Sequence, residues 1–127
     1  MSLINYFEST EGLGILATSN SNGAVDTALY AKPHFIEEEK CLFLMADKCS
    51  HVNLKENPHA TYIFIEKLEH YKGKRLYLRK IKETVDDALA AAIRRKNYGC
   101  PDCDGEKKTF IVYFKIDHIR PLVGDSE

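Results

Sequence analysis

The closing segment "TFIVYFKIDHI" places Phe110, Val112, Phe114 and Ile116 on one side of an extended chain, with Tyr113, Lys115 and Asp117 on the other. A period of two is that of a strand with one buried face. Other apolar runs point the same way. "CLFLMA", starting at Cys41, is apolar on both faces and reads as a central strand. "ATYIFI" follows Pro58 as another strand, and "YKGKRLYLRKIKETV" as a longer one whose exposed lysines mark it as an edge. The stretch "ILATSNSNGAVDTALYAKPHF" reads as a hairpin. Its Asn22-Gly23 pair supplies the two positive φ angles of a type I′ turn. Val25, Thr27, Leu29 and Ala31 then share one face of its second strand.

Helical signals are fewer. Leu3 and Phe7, four apart, suit a short amphipathic helix over Leu3 to Ser9. Ser50 to Asn57 reads as a second short helix, with Ser50 as its N-cap and Pro58 forbidding continuation. "VDDALAAAIRRKNYG" is the clearest helix. Asp86 and Asp87 lie at its positive end, Arg94, Arg95 and Lys96 at its negative end, and Gly99 beyond its stop. Val85, Leu89 and Ile93 form its expected apolar stripe. About six strands with no β-α-β alternation predict a mostly antiparallel barrel with appended helices.

Composition narrows the function classes. The chain has 127 residues, enough for one domain over 1–127 with a real core and no staples. Lys and Arg number 18 against 19 Asp and Glu, so net charge argues for neither nucleic acid nor an anionic membrane as partner. No apolar run approaches a membrane span. "MSLINYFESTEG" lacks the basic start and apolar core of a signal peptide, and a cytoplasmic protein is expected. The 4 cysteines then read as thiols, ligands or redox groups rather than a disulfide framework.

The segment "MADKCSHVN" carries the most chemistry. A phosphate dianion needs convergent donors and positive potential, which a helix start offers through free backbone N–H groups. Ser50 adds a hydroxyl, and His51 and Lys48 add N–H donors. Taken alone, a plain serine cap and a solvated lysine are the more economical explanation. The surroundings shift that balance. Ala17-Thr18, Asn22-Gly23, Asp26 to Tyr30, Cys41 to Ala46, Lys48 to His51 and Asn57-Pro58 follow one another in order and spacing. In this the chain resembles the FMN-binding split-barrel family related to pyridoxamine 5′-phosphate oxidase, most clearly over Gly14 to Ile65.

The resemblance implies a mainly β fold with appended helices, a six-stranded antiparallel split β-barrel of the FMN-binding type. It implies FMN as cofactor, with Asp26, Thr27, Ala28 and Leu29 running past the isoalloxazine. Ala46, Asp47 and Lys48 would pass the ribityl chain, and Ser50 and His51 would grip the phosphate. It also implies a homodimer with the flavin at the interface, and an oxidoreductase acting with a small-molecule redox partner. Many members place basic residues after the loop serine, whereas here His51 and Val52 follow Ser50. The phosphate grip therefore leans on Lys48 and the helix start. No segment matches the substrate-binding part of the vitamin B6 oxidases, so the chain is not read as that enzyme. No side chain is assigned as a proton-transfer catalyst. The alternatives are a non-catalytic flavin carrier or electron-transfer protein, and a haem- or zinc-binding module on the same barrel.

Remaining motifs are read plainly. Cys100 and Cys103 have the spacing of a redox dithiol or half a zinc site, but the chain has no second such pair, and free loop thiols are the favoured reading. Cys49 reads as packing. "KGKRLYLRK" reads as a solvated strand rather than a nucleic-acid surface, with Arg75 or Arg79 as weak candidates to reach a flavin across a dimer. His34, His59, His70 and His118 show no metal-ligand spacing.

Overall fold

The computed structural model describes residues 2–68, 71–96 and 109–124. The Cys100–Cys103 pair, Gly99, His70 and the side chains of Arg94, Arg95 and Lys96 lie outside the described residues. The chain order is α1 (Leu3–Ser9), β1 (Gly12–Ser19), β2 (Val25–Leu29), β3 (His34–Glu37), β4 (Lys40–Ala46), α2 (Cys49–Glu56), β5 (His59–Glu66), β6 (Gly73–Thr84), α3 (Asp87–Lys96) and β7 (Thr109–Pro121). The strands form one seven-stranded sheet in the order β2-β1-β5-β6-β7-β4-β3, and every pairing in it is antiparallel.

The sheet has seven strands rather than six because the expected second strand breaks in two. Pro33 has no N–H to give a ladder, and the chain leaves β2 at Leu29 and re-enters the sheet as β3 at His34. These pieces lie at opposite edges of the sheet. A link from Leu29 to His34 spans about 17 Å at full stretch, so the sheet has to curl until its edges approach. That curl is the split barrel.

The barrel interior follows from alternation. Leu16, Phe43, Met45, Tyr62, Phe64, Leu76, Leu78, Val112 and Phe114 form the buried cluster, joined by Leu3 and Phe7 of α1 and Leu54 of α2. Phe7 stands edge-on to Phe64 with ring centroids 5.0 Å apart. Burying Leu3 and Phe7 is worth about 2 kcal/mol each. Ser2 caps α1 through Asn5 N–H, Glu38 accepts from Leu3 N–H, and Lys32 Nζ donates to Phe7 O and Thr10 O at the other end.

Several local expectations are corrected. Only Gly23 in the first hairpin has positive φ, at 86°, so no type I′ turn forms. Gly23 N–H donates to Asn20 O, Asn20 N–H donates to Ala24 O, and Asn20 Oδ1 accepts from Asn22 and Ala24. The asparagine side chain thus stabilises a longer loop that needs one left-handed residue. β6 is not an edge: it lies between β5 and β7, with register shifts at Tyr77/Leu78 and Lys80/Lys82. Lys74 lies over the Tyr6 ring and Lys80 binds Glu83, so these lysines do not guard an open ladder. α3 begins after Asp86, which accepts from Leu89 N–H, and its buried face is Ala90 and Ile93. Val85 lies outside the helix and Leu89 is exposed, so the expected stripe is displaced. Ala90 and Ile93 cover Leu42 and Ile111 on the outer side of β4 and β7.

Candidate functional site

The two groups of residues singled out in the sequence converge at one end of the barrel. β4 ends at Ala46, the chain turns through Asp47 and Lys48, and α2 starts at Cys49. α2 packs on β1, β2 and β4. Asn53 Nδ2 donates to Thr18 Oγ1 at 3.0 Å, fixing α2 to β1 inside the barrel. The Ser50 hydroxyl interacts with Tyr30, at the end of β2. Burial pushes the Tyr30 hydroxyl upward, the Ser50 interaction opposes this, and the Asp26 charge adds to the rise.

Lys48, not Ser50, is the N-cap of α2, and it makes no side-chain cap hydrogen bond. Ser50 sits inside the first turn and is buried. The reason is the interior: with Ser50 and Leu54 turned to the core, the cap falls two residues earlier than the serine signal suggests. The first helical acceptor is Lys48 O, bonded by Val52 N–H. The amides of Cys49, Ser50 and His51, at the first turn, have no intrahelical partner. Lys48 itself is exposed beside them.

His51 does not face this opening. Its side chain is fully buried, Nδ1 is 2.8 Å from Asp47 Oδ1, and Nε2 is 3.0 Å from Glu83 Oε2. The ring stacks on Phe110 with centroids 3.9 Å apart and planes at 17°. Glu83 also accepts from Lys80 Nζ at 2.6 Å. Burial raises the Glu83 carboxyl, but the hydrogen bonds from Lys80 and His51 and their charges outweigh it, and the net direction is down. As placed, the Ser50 and His51 side chains are engaged within the protein. What the corner offers an anion is a row of amides and Lys48.

On β2 the predicted residues divide by face. Asp26 and Ala28 pair with Thr18 and Leu16 and are half-buried toward the interior. Thr27 and Leu29 pair with Ala17 and Ile15 and point outward, as does Val25. Val25 is 78% exposed and Leu29 70%, so this face of β2 is apolar and open. It continues a half-buried row of Ile15 and Ile63 on β1 and β5. A groove of about 290 Å³ crosses that side, lined in part by Ser19, Val25, Thr61, Tyr77 and Asp117. Asp117 holds Arg79 through two hydrogen bonds, at 3.1 and 3.2 Å. Among the described residues no cluster of three or more His, Cys, Asp or Glu could hold a metal ion, and no helix is long and apolar enough to cross a membrane.

Glu83, Lys80, Phe110, Tyr30 and Asn53 were not named as site residues from the sequence. The four-residue spacing of Asp47 and His51 was a legible hint of their contact. Nothing local points to Glu83, which lies 32 residues from His51 in the chain.

Solved structures share this fold. An FMN-binding protein from Syntrophomonas wolfei subsp. wolfei aligns at 17% identity with a TM-score of 0.77, covering 97% of this chain and 85% of its own. An F420 reductase aligns at 18% identity and a TM-score of 0.68, covering 85% and 88%. A protein from Clostridium acetobutylicum, related to general stress protein 26 of B. subtilis and of the pyridoxinephosphate oxidase family, aligns at 14% identity and 0.65, covering 93% and 84%. No family model and no curated protein matches the sequence. The likeness is one of fold: the chain has the split-barrel fold that its resemblance to the pyridoxamine 5′-phosphate oxidase-related family implied.

Proposed function

We propose that this chain is a flavin-binding split-barrel protein that uses FMN, with the flavin phosphate at the start of α2 and the ring against β2. The observation that carries the reading is the row of uncapped amides beside exposed Lys48, at the same end of the barrel as the open edge of β2. Amides at a helix start and a nearby cation are a ready site for a phosphate dianion. The unpaired side of β2 offers main-chain donors and acceptors to the polar edge of a flat ring, and its apolar outer face offers a wall. Bound flavin would supply hydride or electron transfer, and the protein's part would be binding and orientation.

A second copy of the chain completes the pocket in this reading. The exposed Val25 and Leu29 side chains continue the outer row of Ile15 and Ile63, which no helix covers among the described residues. A homodimer closed over this face would bury the row and roof the ring. The groove past Tyr77 then gives a small-molecule redox partner its approach. The protein is read as cytoplasmic and as an oxidoreductase rather than a passive carrier.

The decisive experiment compares FMN with riboflavin, which differ by the phosphate alone. The purified protein is expected to carry a flavin by absorbance and mass, and the stripped protein to bind FMN more tightly than riboflavin. Lys48→Ala should weaken FMN about 2- to 5-fold, the range of about 0.3–1 kcal/mol for an exposed charge at a helix end, and leave riboflavin unchanged. Equal affinity of the parent for both ligands refutes the phosphate corner.

A further inference from the structure

We infer that the groove between Val25 and Tyr77 takes a flat, uncharged heterocycle with an N–H on its edge, a cyclic amide, held by that N–H to Asp117. The groove is the one given above to a redox partner. As a substrate class the inference rests on that reading, while the chemistry comes from the lining itself.

Shape comes first. Ala17 pairs with Thr61 and Thr61 with Tyr77, across β1, β5 and β6. Ala17 and Thr61 are short, and Val25 on β2 and Tyr77 on β6 stand on either side of them. Those two strands are three spacings apart, about 14 Å, which leaves a slot for a flat molecule of one or two rings. Its volume of about 290 Å³ is at the small end for a ligand pocket. The Tyr77 wall is held from the β7 side. The Arg120 guanidinium lies 5.5 Å from its centroid and the His118 ring 5.9 Å.

Asp117 reaches the groove because β7 bulges. Tyr77 pairs with His118 and Leu78 with Ile116, so Asp117 is the extra residue between them. A bulge of this kind re-aims a side chain. The Asp117 carboxylate lines the groove and accepts from Arg79 Nε at 3.1 Å and Nη2 at 3.2 Å. The Arg79 hydrogen bonds hold the Asp117 carboxyl below its usual range, helped by the charges of Arg79, Lys115 and His59, so it is an acceptor at neutral pH. Each of its oxygens has a second lone pair for a ligand donor. The pairing then selects by charge. An anion would meet the carboxylate, a cation would meet the guanidinium beside it, and a neutral N–H meets neither penalty. Asn57 lines the same groove. Its Oδ1 accepts from His59 N–H at 3.1 Å, which leaves the Nδ2 donors to the carbonyl of a cyclic amide.

The probes are carbostyril, a flat bicyclic lactam, and N-methylcarbostyril, which keeps the rings and loses the donor. Ligand-observed NMR titration of the protein as purified, with and without added FMN, reads both. Carbostyril should bind about 10-fold or more tightly than its N-methyl form, the equivalent of one hydrogen bond to a charged group. Asp117→Ala should bring the two probes within about 2-fold of each other, which a merely steric preference would not do. Ala17→Leu fills the slot from its outer side and should weaken both probes together. Thermal melts confirm that each variant folds. Equal binding of the two probes by the parent overturns the proposal, as does a preference that survives Asp117→Ala, or an Ala17→Leu protein that binds both unchanged. Displacement of carbostyril by FMN overturns it too, since the groove would then be the flavin's own. Failure of the flavin reading looks different: a protein that binds no flavin yet keeps the Asp117-dependent preference loses the redox role and keeps this site.

Discussion

The Tyr62 hydroxyl fills the space that a side chain on Gly14 would need, and a Cβ built there falls well inside contact distance of the oxygen. The same hydroxyl donates to the carbonyl oxygens of Tyr30 and Ala31, at 3.3 and 3.2 Å. Those carbonyls belong to the link between β2 and β3, the opposite edges of the sheet. Gly14 thus matters less for its backbone freedom than for the room it leaves. Gly14→Ala should destabilise the protein by about 1–3 kcal/mol, the usual cost of overpacking. Tyr62→Phe loses the hydrogen bonds alone and should cost about 1 kcal/mol. Urea titrations of both variants check the order, and an unaffected Gly14→Ala protein would contradict this account of barrel closure.

The lowered Glu83 carboxyl predicts an acid limb to stability. A carboxyl held below its ordinary value in the folded protein adds stability that is fully present above that value, near 4.5, and is lost as pH falls through the lowered folded value. Glu83→Gln removes this linkage. The stability gap between parent and variant should be widest from pH 5 upward and narrow steadily below about pH 4.5. Denaturant melts across that range check it, and a gap that stays constant into acid would mean that the Lys80 and His51 bonds do not depend on Glu83 ionisation.

Thiol chemistry separates the two described cysteines and reports on the proposed corner. Cys41 is buried, and burial pushes its thiol up to about 12. Cys49 is exposed at the first residue of α2. In a Cys100→Ser/Cys103→Ser background, an aromatic disulfide reagent should titrate one thiol in the folded protein and the second only after unfolding. FMN should slow the Cys49 reaction more than riboflavin does, because its phosphate would lie over that amide. Equal protection by the two ligands would place the flavin elsewhere.

The strands were legible because alternation is a local signal. Phe110, Val112 and Phe114 point inward as read, and Cys41 to Met45 form an interior strand. The errors share a cause: each depends on which neighbour an element meets. Exposed lysines on β6 suggested an edge, but strand order is set by long-range pairing that no local pattern encodes. Pro33 was visible, yet its effect, splitting one strand between two edges, follows only from barrel closure. Ser50 carried a cap signal and was overridden by burial of its helix face. The contact between two of the singled-out segments was legible, but not its detail. The segment from Ala46 to His51 and the strand from Asp26 to Leu29 do meet at one end of the barrel. The partner of His51 across the core, Glu83, lies 32 residues away and leaves no trace in the local sequence.

The outer face of β2 gives the last prediction. Val25 and Leu29 are exposed on an edge strand, beside the row of Ile15 and Ile63. On β4 and β7 the equivalent outer surface is covered by Ala90 and Ile93 of α3, whereas among the described residues no helix covers the row on β2, β1 and β5. An apolar face of this kind favours association with a second surface, and the proposed homodimer supplies it. Leu29→Lys changes a side chain that is 70% exposed and should cost a single subunit no more than about 0.5 kcal/mol. In the dimer it places a charge in a dry interface, where an unpaired charge is costly. Sedimentation should show the parent as a dimer and Leu29→Lys as a folded monomer, with flavin affinity falling alongside dimerisation. A variant that stays dimeric and keeps its flavin would move both the interface and the ring away from β2.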